Sequence, residues 1–260
     1  MLHLWNKTAT LVIDTDQVRA KIGPLENLIV EVAGSVTDMP YGVARSEHLS
    51  AAIKEALADL TTKVKRPFHA VNVVIADTLV FYDVLEIDAR IISSVELQRL
   101  AGLSLADTLG LDAADLMLRC SIQKGGLSVV MCGIPIPILD AIKHAIQQAG
   151  YTLNRVEPAF AEFLNCRATL LTQPNAMVAK LRHHSLTLGL IREGKWQAFA
   201  NERLSRPVWT ELRDSCDAFC SRVGIPDPHL LPILFDADIE QIPTDATGRW
   251  QPLLLTTTLS

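Results

Sequence analysis

Arg182, His183 and His184 stand side by side within the run VAKLRHHSLTLGLIREGKW, residues 178–196. The flanking residues alternate between apolar and polar, the period of a half-buried strand, so the cluster falls at the turn of a β-hairpin. Two imidazoles and a guanidinium at one turn suit metal ligation, anion binding or plain solvation. A second candidate is CDAFC, which spaces Cys216 and Cys220 to share one helix face. Two thiols do not make a zinc site and no Cys-His pair lies near them, so they read as small buried hydrophobes. A third is the group Asp77, Asp83, Glu86 and Asp88, which acid–base catalysis would need as a close pair and which turn solvation explains as well. No G-x-S-x-G elbow, P-loop or G-x-G-x-x-G turn is present, and Gly125–Gly126 reads as a hairpin turn.

The chain that must position these groups has 260 residues, 49% hydrophobic and 20% charged, with a net charge of −5. That composition describes a packed globular protein and gives no bulk attraction to nucleic acid or an anionic membrane. No run approaches the roughly 20 apolar residues of a membrane span. The start, MLHLWNKTATLVID, turns polar too soon for a signal peptide or an anchor. Five scattered cysteines suit a reducing compartment, so a cytoplasmic protein is expected, without direct membrane insertion.

Residues 8–22 alternate around DTDQ and residues 26–34 add an apolar strand, which predicts an antiparallel meander. A helix follows from about Arg45 to Lys65, stopped by Pro67. AVNVVIADTLVFYDVLEI, residues 70–87, reads as a second hairpin turning at ADT. Next come a helix from Ser94 to about Gly102, strands LMLRCSI and LSVVMCGIP around QKGG, and a helix on PIPILDAIKHAIQQAGY capped by Gly150. Helices near Pro158–Leu171 and Trp209–Val223 stand on either side of the RHH hairpin, and LLPILFD and LLLTTTL read as late strands. Trp196 and Phe199, three apart on a strand, are expected on opposite faces, in the core or with one exposed as a binding anchor.

The strand–turn–strand unit occurs twice, as LVIDTDQVRAKI and MVAKLRHHSLTLGLI, each opening a block of antiparallel strands followed by a helix. Either the repetition is coincidence within a generic α/β domain, or it is the duplication of actin-like (ribonuclease H-like) nucleotide-binding folds. The phrases VNVVIADTLVFYDVLE, LSVVMCGIPIPILDAIKHAIQQAGYTLNRVEPAF and SLTLGLIREGKWQAF carry a narrower likeness. Over roughly residues 8–225 the chain resembles the type IV pilus assembly protein PilM and the cytoplasmic domain of its type II secretion counterpart, GspL. The resemblance implies an α/β protein with mixed sheets and two actin-like lobes. The first lobe would cover residues 1–156, with an inserted α/β subdomain at about 68–154. The second would cover 157–260 and be shortened, without room for the adenine-side subdomain.

In nucleotide-binding members of such folds, both first turns read approximately D-x-G. The aspartate serves the metal-bound phosphates, and the glycine lets backbone N–H groups approach an anion. Here Asp14 keeps the first aspartate position, but Asp16 replaces the glycine and would repel phosphate. In the second turn, the register set by Ser185 and Thr187 puts Lys180 at the aspartate position and Arg182 at the glycine position. With His183 and His184 these cations could still attract an anion, but hydrolysis needs a placed metal and an oriented water.

The resemblance therefore implies a pseudo-ATPase for which ATP and Mg²⁺ are not expected cofactors. It would be a cytoplasmic scaffold gripping the short cytoplasmic tail of an inner-membrane pilus or secretion protein, together with the assembly ATPase. The alternative is a divergent actin-like ATPase or sugar-kinase-like enzyme using Asp14 and the basic turn.

Overall fold

The computed structural model describes residues 8–14, 17–22, 27–31, 43–64, 68–167, 171–182, 184–206, 208–237 and 248–253. In chain order the elements begin with strands β1 (Thr8–Ile13), β2 (Gln17–Lys21) and β3 (Asn27–Glu31), helix α1 (Val43–Lys63), and strands β4 (Ala70–Ile75) and β5 (Phe81–Glu86). Helix α2 (Ser94–Leu109), strands β6 (Leu116–Ile122) and β7 (Ser128–Pro135), helix α3 (Ile136–Gln148), strand β8 (Thr152–Pro158) and helix α4 (Ala159–Arg167) follow. The chain continues through strands β9 (Ala176–Arg182), β10 (Ser185–Arg192) and β11 (Lys195–Arg203), helix α5 (Trp209–Arg222), and strands β12 (Ile233–Ala237) and β13 (Trp250–Pro252). The predicted LLLTTTL strand lies largely outside the described residues. No helix among them is long and apolar enough to cross a membrane.

The strands form two five-stranded sheets, ordered β3-β2-β1-β4-β8 and β11-β10-β9-β12-β13, and one three-stranded sheet, β5-β7-β6. In the first large sheet β1, β2 and β3 are an antiparallel meander, and β4 and β8 add in parallel on the far side of β1. The second repeats this connectivity: β9, β10 and β11 are antiparallel, and β12 and β13 add in parallel beyond β9. Two sheets with one wiring diagram make the repeated hairpin a true duplication and dispose of the coincidence reading.

The chain divides into two compact units, Met1–Val80 with Ala114–Met117 and Ile134–Glu162, and Phe81–Ala113 with Leu118–Gly133 and Phe163–Ser260. In the first, α1 buries Leu49, Ile53, Leu57 and Leu60 and packs against α3, which buries Ile138, Ile142 and Ile146. Their three- and four-residue spacing gives each helix one apolar stripe. In the second unit, α5 lays Leu212, Cys216, Phe219 and Cys220 against Leu186, Leu188 and Leu190 of β10 and Ile233 and Phe235 of β12. Each fully buried Leu or Phe of this kind contributes about 1.5–3 kcal/mol relative to leaving it in water.

Two expectations are corrected. Residues 70–87 are not a hairpin: β4 lies between β1 and β8, while β5 pairs with β7, Phe81 opposite Gly133 and Glu86 opposite Ser128. A 3₁₀ turn at Asp77–Leu79 carries the chain from one sheet to another, and alternation alone cannot tell such an exit from a hairpin. Second, α2 does not end near Gly102 but at Leu109, between a Ser93 cap and Gly110 at φ 65°. Gly102 sits inside the helix, where an added Cβ would come 4.0 Å from Leu118. TLNRVEP, to which the sequence pattern assigns no element, is a strand, β8, at the edge of the first large sheet. Its polar outer residues hide the period.

Candidate functional site

The first turn is built by β1 and β2. The Asp14 N–H donates to the Gln17 carbonyl at 2.8 Å, closing the hairpin, and the Asp14 side chain is nearly inaccessible. Its Oδ2 accepts from Arg19 Nη2 at 2.6 Å and Nε at 3.2 Å. The carboxylate is thus held by a guanidinium on the next strand, and a cation approaching it must compete with a short charge-assisted pair. Asp16 lies outside the described residues.

The second turn is built by β9 and β10. Lys180 is buried, 8% exposed, and stands in register with Thr187 of β10 and Asp236 of β12. Its Nζ is 5.4 Å from the centroid of the Phe163 ring, over which the Arg167 guanidinium also lies, at 4.5 Å. Arg167 in turn pairs with Asp236 at 3.1 Å. Two cations, one ring and one carboxylate therefore form a packed group in which the lysine stem lies in the protein and its charge faces an aromatic surface.

Arg182 pairs across the strands with Ser185, and both are half-buried. Counted from the turn, that pair takes the place that Asp14 and Gln17 take in the first hairpin, and Lys180 lies two residues deeper. His183 is outside the described residues. His184 Nδ1 lies 3.0 Å from the Leu204 carbonyl, and the Leu204 N–H donates to the His184 carbonyl at 2.8 Å. This imidazole ties β10 to the end of β11. Among the described residues no three His, Cys, Asp or Glu side chains are grouped to hold a metal.

The other candidates resolve into structural work. Cys216 and Cys220 face the core of the second unit, where burial pushes the Cys216 thiol far above its usual range. Burial also raises Cys220, against the opposing influence of Arg249. Neither thiol is a nucleophile at neutral pH. Asp83 accepts from the Val84 N–H at 2.8 Å. Asp88 accepts from Arg90 Nε at 2.8 Å and Nη2 at 2.7 Å, and these bonds hold its carboxyl down at about 2.

Asp77 is different. It is buried, and its Oδ1 accepts the Phe160 N–H at 2.9 Å in the first turn of α4. A carboxylate remote in sequence caps a helix, which no local capping motif announces. Its neighbour Thr78 has a buried Oγ1 with no hydrogen-bond partner among the described residues. Thr78→Val keeps the shape and removes the unpaired hydroxyl, so it should raise stability by up to about 1 kcal/mol in chemical denaturation. A clear loss would show that the hydroxyl has a partner.

Trp196 and Phe199 share a face, contrary to expectation. Between β10 and β11 the register shifts, with Ile191 opposite Trp196 but Leu190 opposite Ala198. Gln197 is the extra residue of a β-bulge, which resets the alternation by one. The two rings stack with centroids 5.2 Å apart, and Tyr82 of β5 lies 5.5 Å from Phe199. The Gln123 side chain brackets the Trp196 main chain, accepting its N–H at 2.7 Å and donating to its carbonyl at 2.8 Å.

No protein-family model matches this sequence, and no curated protein does. Among solved structures the chain is similar to the cytoplasmic domain of EpsL, an inner membrane component of the type II secretion system of Vibrio cholerae. The identity is 15% and the TM-score 0.53, over 96% of this chain and 90% of that one. It is similar to a Bacteroides thetaiotaomicron protein with an actin-like ATPase fold, at 10% identity and TM-score 0.51, over 93% and 84% of the two chains. It is also similar to a chain of the PilM-PilN type IV pilus biogenesis complex, at 16% identity and TM-score 0.53, over 84% of this chain and 66% of that one. The fold is actin-like, as the duplicated sheets require.

Proposed function

We propose that this chain is an actin-like scaffold that has given up nucleotide chemistry. It acts in the cytoplasm, against the inner membrane, as an adaptor in a pilus-assembly or type II secretion-like complex. There it holds the short cytoplasmic tail of a membrane partner and contacts the assembly ATPase. The reading is supported most by Arg182, a cation at the place in the second turn that the aspartate Asp14 takes in the first, with a second cation, Lys180, buried over Phe163 two residues deeper. A second support is Asp14, whose carboxylate is engaged by Arg19 at 2.6 Å. A cation cannot replace a carboxylate as a Mg²⁺ ligand, and without Mg²⁺ the transferring phosphoryl group loses its main charge stabilisation. The fold likeness to EpsL and to the PilM-PilN complex supports the choice of machine.

Two calorimetric titrations test the proposal. ATP with Mg²⁺ at millimolar concentration should give no binding heat. Synthetic cytoplasmic tails of inner-membrane pilus and secretion proteins from the same genome should include one that binds. ATP binding that disappears in Arg182→Ala would make the basic turn a working phosphate site and overturn the loss of nucleotide chemistry. Silence from every tail would overturn the adaptor role. Asp16→Gly combined with Arg182→Asp should then create ATP affinity, since it restores the glycine of the first turn and the aspartate of the second.

A further inference from the structure

The chain leaves the first unit after β4, builds β5, α2, β6 and β7, and returns to that unit at α3. Residues 81–113 and 118–133 of this insert nonetheless fall in the second unit. What ties them there is β11, the outer strand of the second large sheet, against which β5 packs. An outer strand has no strand neighbour to take up its outward N–H and C=O groups. At Trp196 the Gln123 side chain fills that part: Oε1 accepts the N–H at 2.7 Å, and Nε2 donates to the carbonyl at 2.8 Å. A side-chain amide carries both acceptor and donors, so it can pair both groups of one residue as a neighbouring strand would. Nε2 also donates to Ser128 Oγ at 3.1 Å, which fixes the amide to β7 of its own sheet.

Aromatic packing completes the contact. Trp196 stacks on Phe199, and Tyr82 of β5 lies 5.5 Å from Phe199. Both β11 rings lie over Gly189, which has no side chain to lift them off the sheet. A turn glutamine, a strand tyrosine, a bulge and a mid-strand glycine therefore build one docking contact. The insert's covalent connections run to the first unit, so this non-covalent contact decides that it moves with the second large sheet. With three strands and α2 packed on them, the insert has the minimum needed to hold its own fold, and opening the contact frees it intact. We propose that Gln123 is the clamp of a conformational device. Closed, it makes the insert a rigid extension of the second large sheet, so that a partner gripping the insert acts on that sheet. Open, it releases the insert as a folded module.

Backbone-amide NMR of the full chain tests the clamp. In the wild-type protein the amides of the insert and of β9 to β12 should relax with one rotational correlation time. Gln123→Met fills the same space and makes neither bond. It should speed exchange of the Trp196 amide about thirtyfold, the factor for two hydrogen bonds of ordinary strength. It should also shorten the correlation time of the insert, while exchange at Val129 and Met131, in the insert's core, keeps its wild-type rate. Gln123→Glu retains the acceptor without the donor and should fall between the two. Separate correlation times in the wild type, or a single one kept in Gln123→Met, overturn the proposal. Faster exchange at Val129 and Met131 in Gln123→Met would mean that the insert melts instead of undocking, and overturns it as well.

Discussion

Asp77→Ala is expected to lower the free energy of unfolding by about 2 kcal/mol, near the top of the range for loss of a helix cap. Helix α4 begins at Ala159, directly after Pro158, so the position before it offers no side-chain oxygen to the orphan N–H groups of the first turn. Asp77 supplies the acceptor from far away in sequence, on the 3₁₀ turn that follows β4. Both ends of this bond are buried: Asp77 is 4% exposed and Phe160 is fully buried. Removing the carboxylate therefore strands a donor where water does not reach, instead of handing it back to solvent. It also removes a negative charge from the positive end of a helix. Asp77→Asn retains an oxygen at the same place and should cost about half as much. Denaturant titrations of the two variants decide the matter. Equal losses would show that charge or shape matters at this position and the bond does not. Losses within error of zero would remove Asp77 from the list of structural residues.

The duplicated hairpin was legible because both copies read as two short apolar strands around a polar turn, even though β9 and β10 are buried on both faces. That pattern located β1, β2, β9 and β10 and, through them, Asp14, Lys180 and Arg182. What the pattern omits is where each strand goes next. Residues 70–87 alternate well on both sides of ADT, yet Ile75 ends one sheet's strand and Phe81 begins another's, because pairing partners are chosen across the fold. Gly102 looks like a helix stop by residue type, yet it lies in mid-helix, where a Cβ would meet Ala113 and Leu118 only at an ordinary 4.0 Å and nothing in the structure requires glycine. The same limit applies to the candidate turns. Asp14 could be found from its neighbours in sequence. Its engagement by Arg19 depends on a register that brings a residue five positions later back across the hairpin. Lys180 could be recognised as a cation in an unusual place. The ring of Phe163 beneath it comes from a helix that ends before the hairpin begins.

Gly189→Ala is expected to cost about 1–3 kcal/mol, the penalty of forcing atoms into a filled core. A Cβ at Gly189 would fall 2.6 Å from Cζ3 of Trp196 and 3.2 Å from Cε1 of Phe199. Gly189 stands opposite Phe199 in the register, and the bulge at Gln197 swings Trp196 onto the same face, so both rings cover the glycine. Neither ring can step aside easily. The Gln123 side chain holds the Trp196 main chain by two hydrogen bonds, and Tyr82 lies against Phe199. Here glycine is required for the absence of a side chain and not for backbone freedom, since its φ lies outside the left-handed region. The conflict is specific enough to be relieved. Trp196→Leu alone should destabilise, but in its background Gly189→Ala should cost much less, giving a coupling energy of at least about 1 kcal/mol in a double-mutant cycle. Strict additivity of the two changes would mean that the strain falls on the backbone of β10. The stack over Gly189 would then be a neighbour of the glycine and not the reason for it.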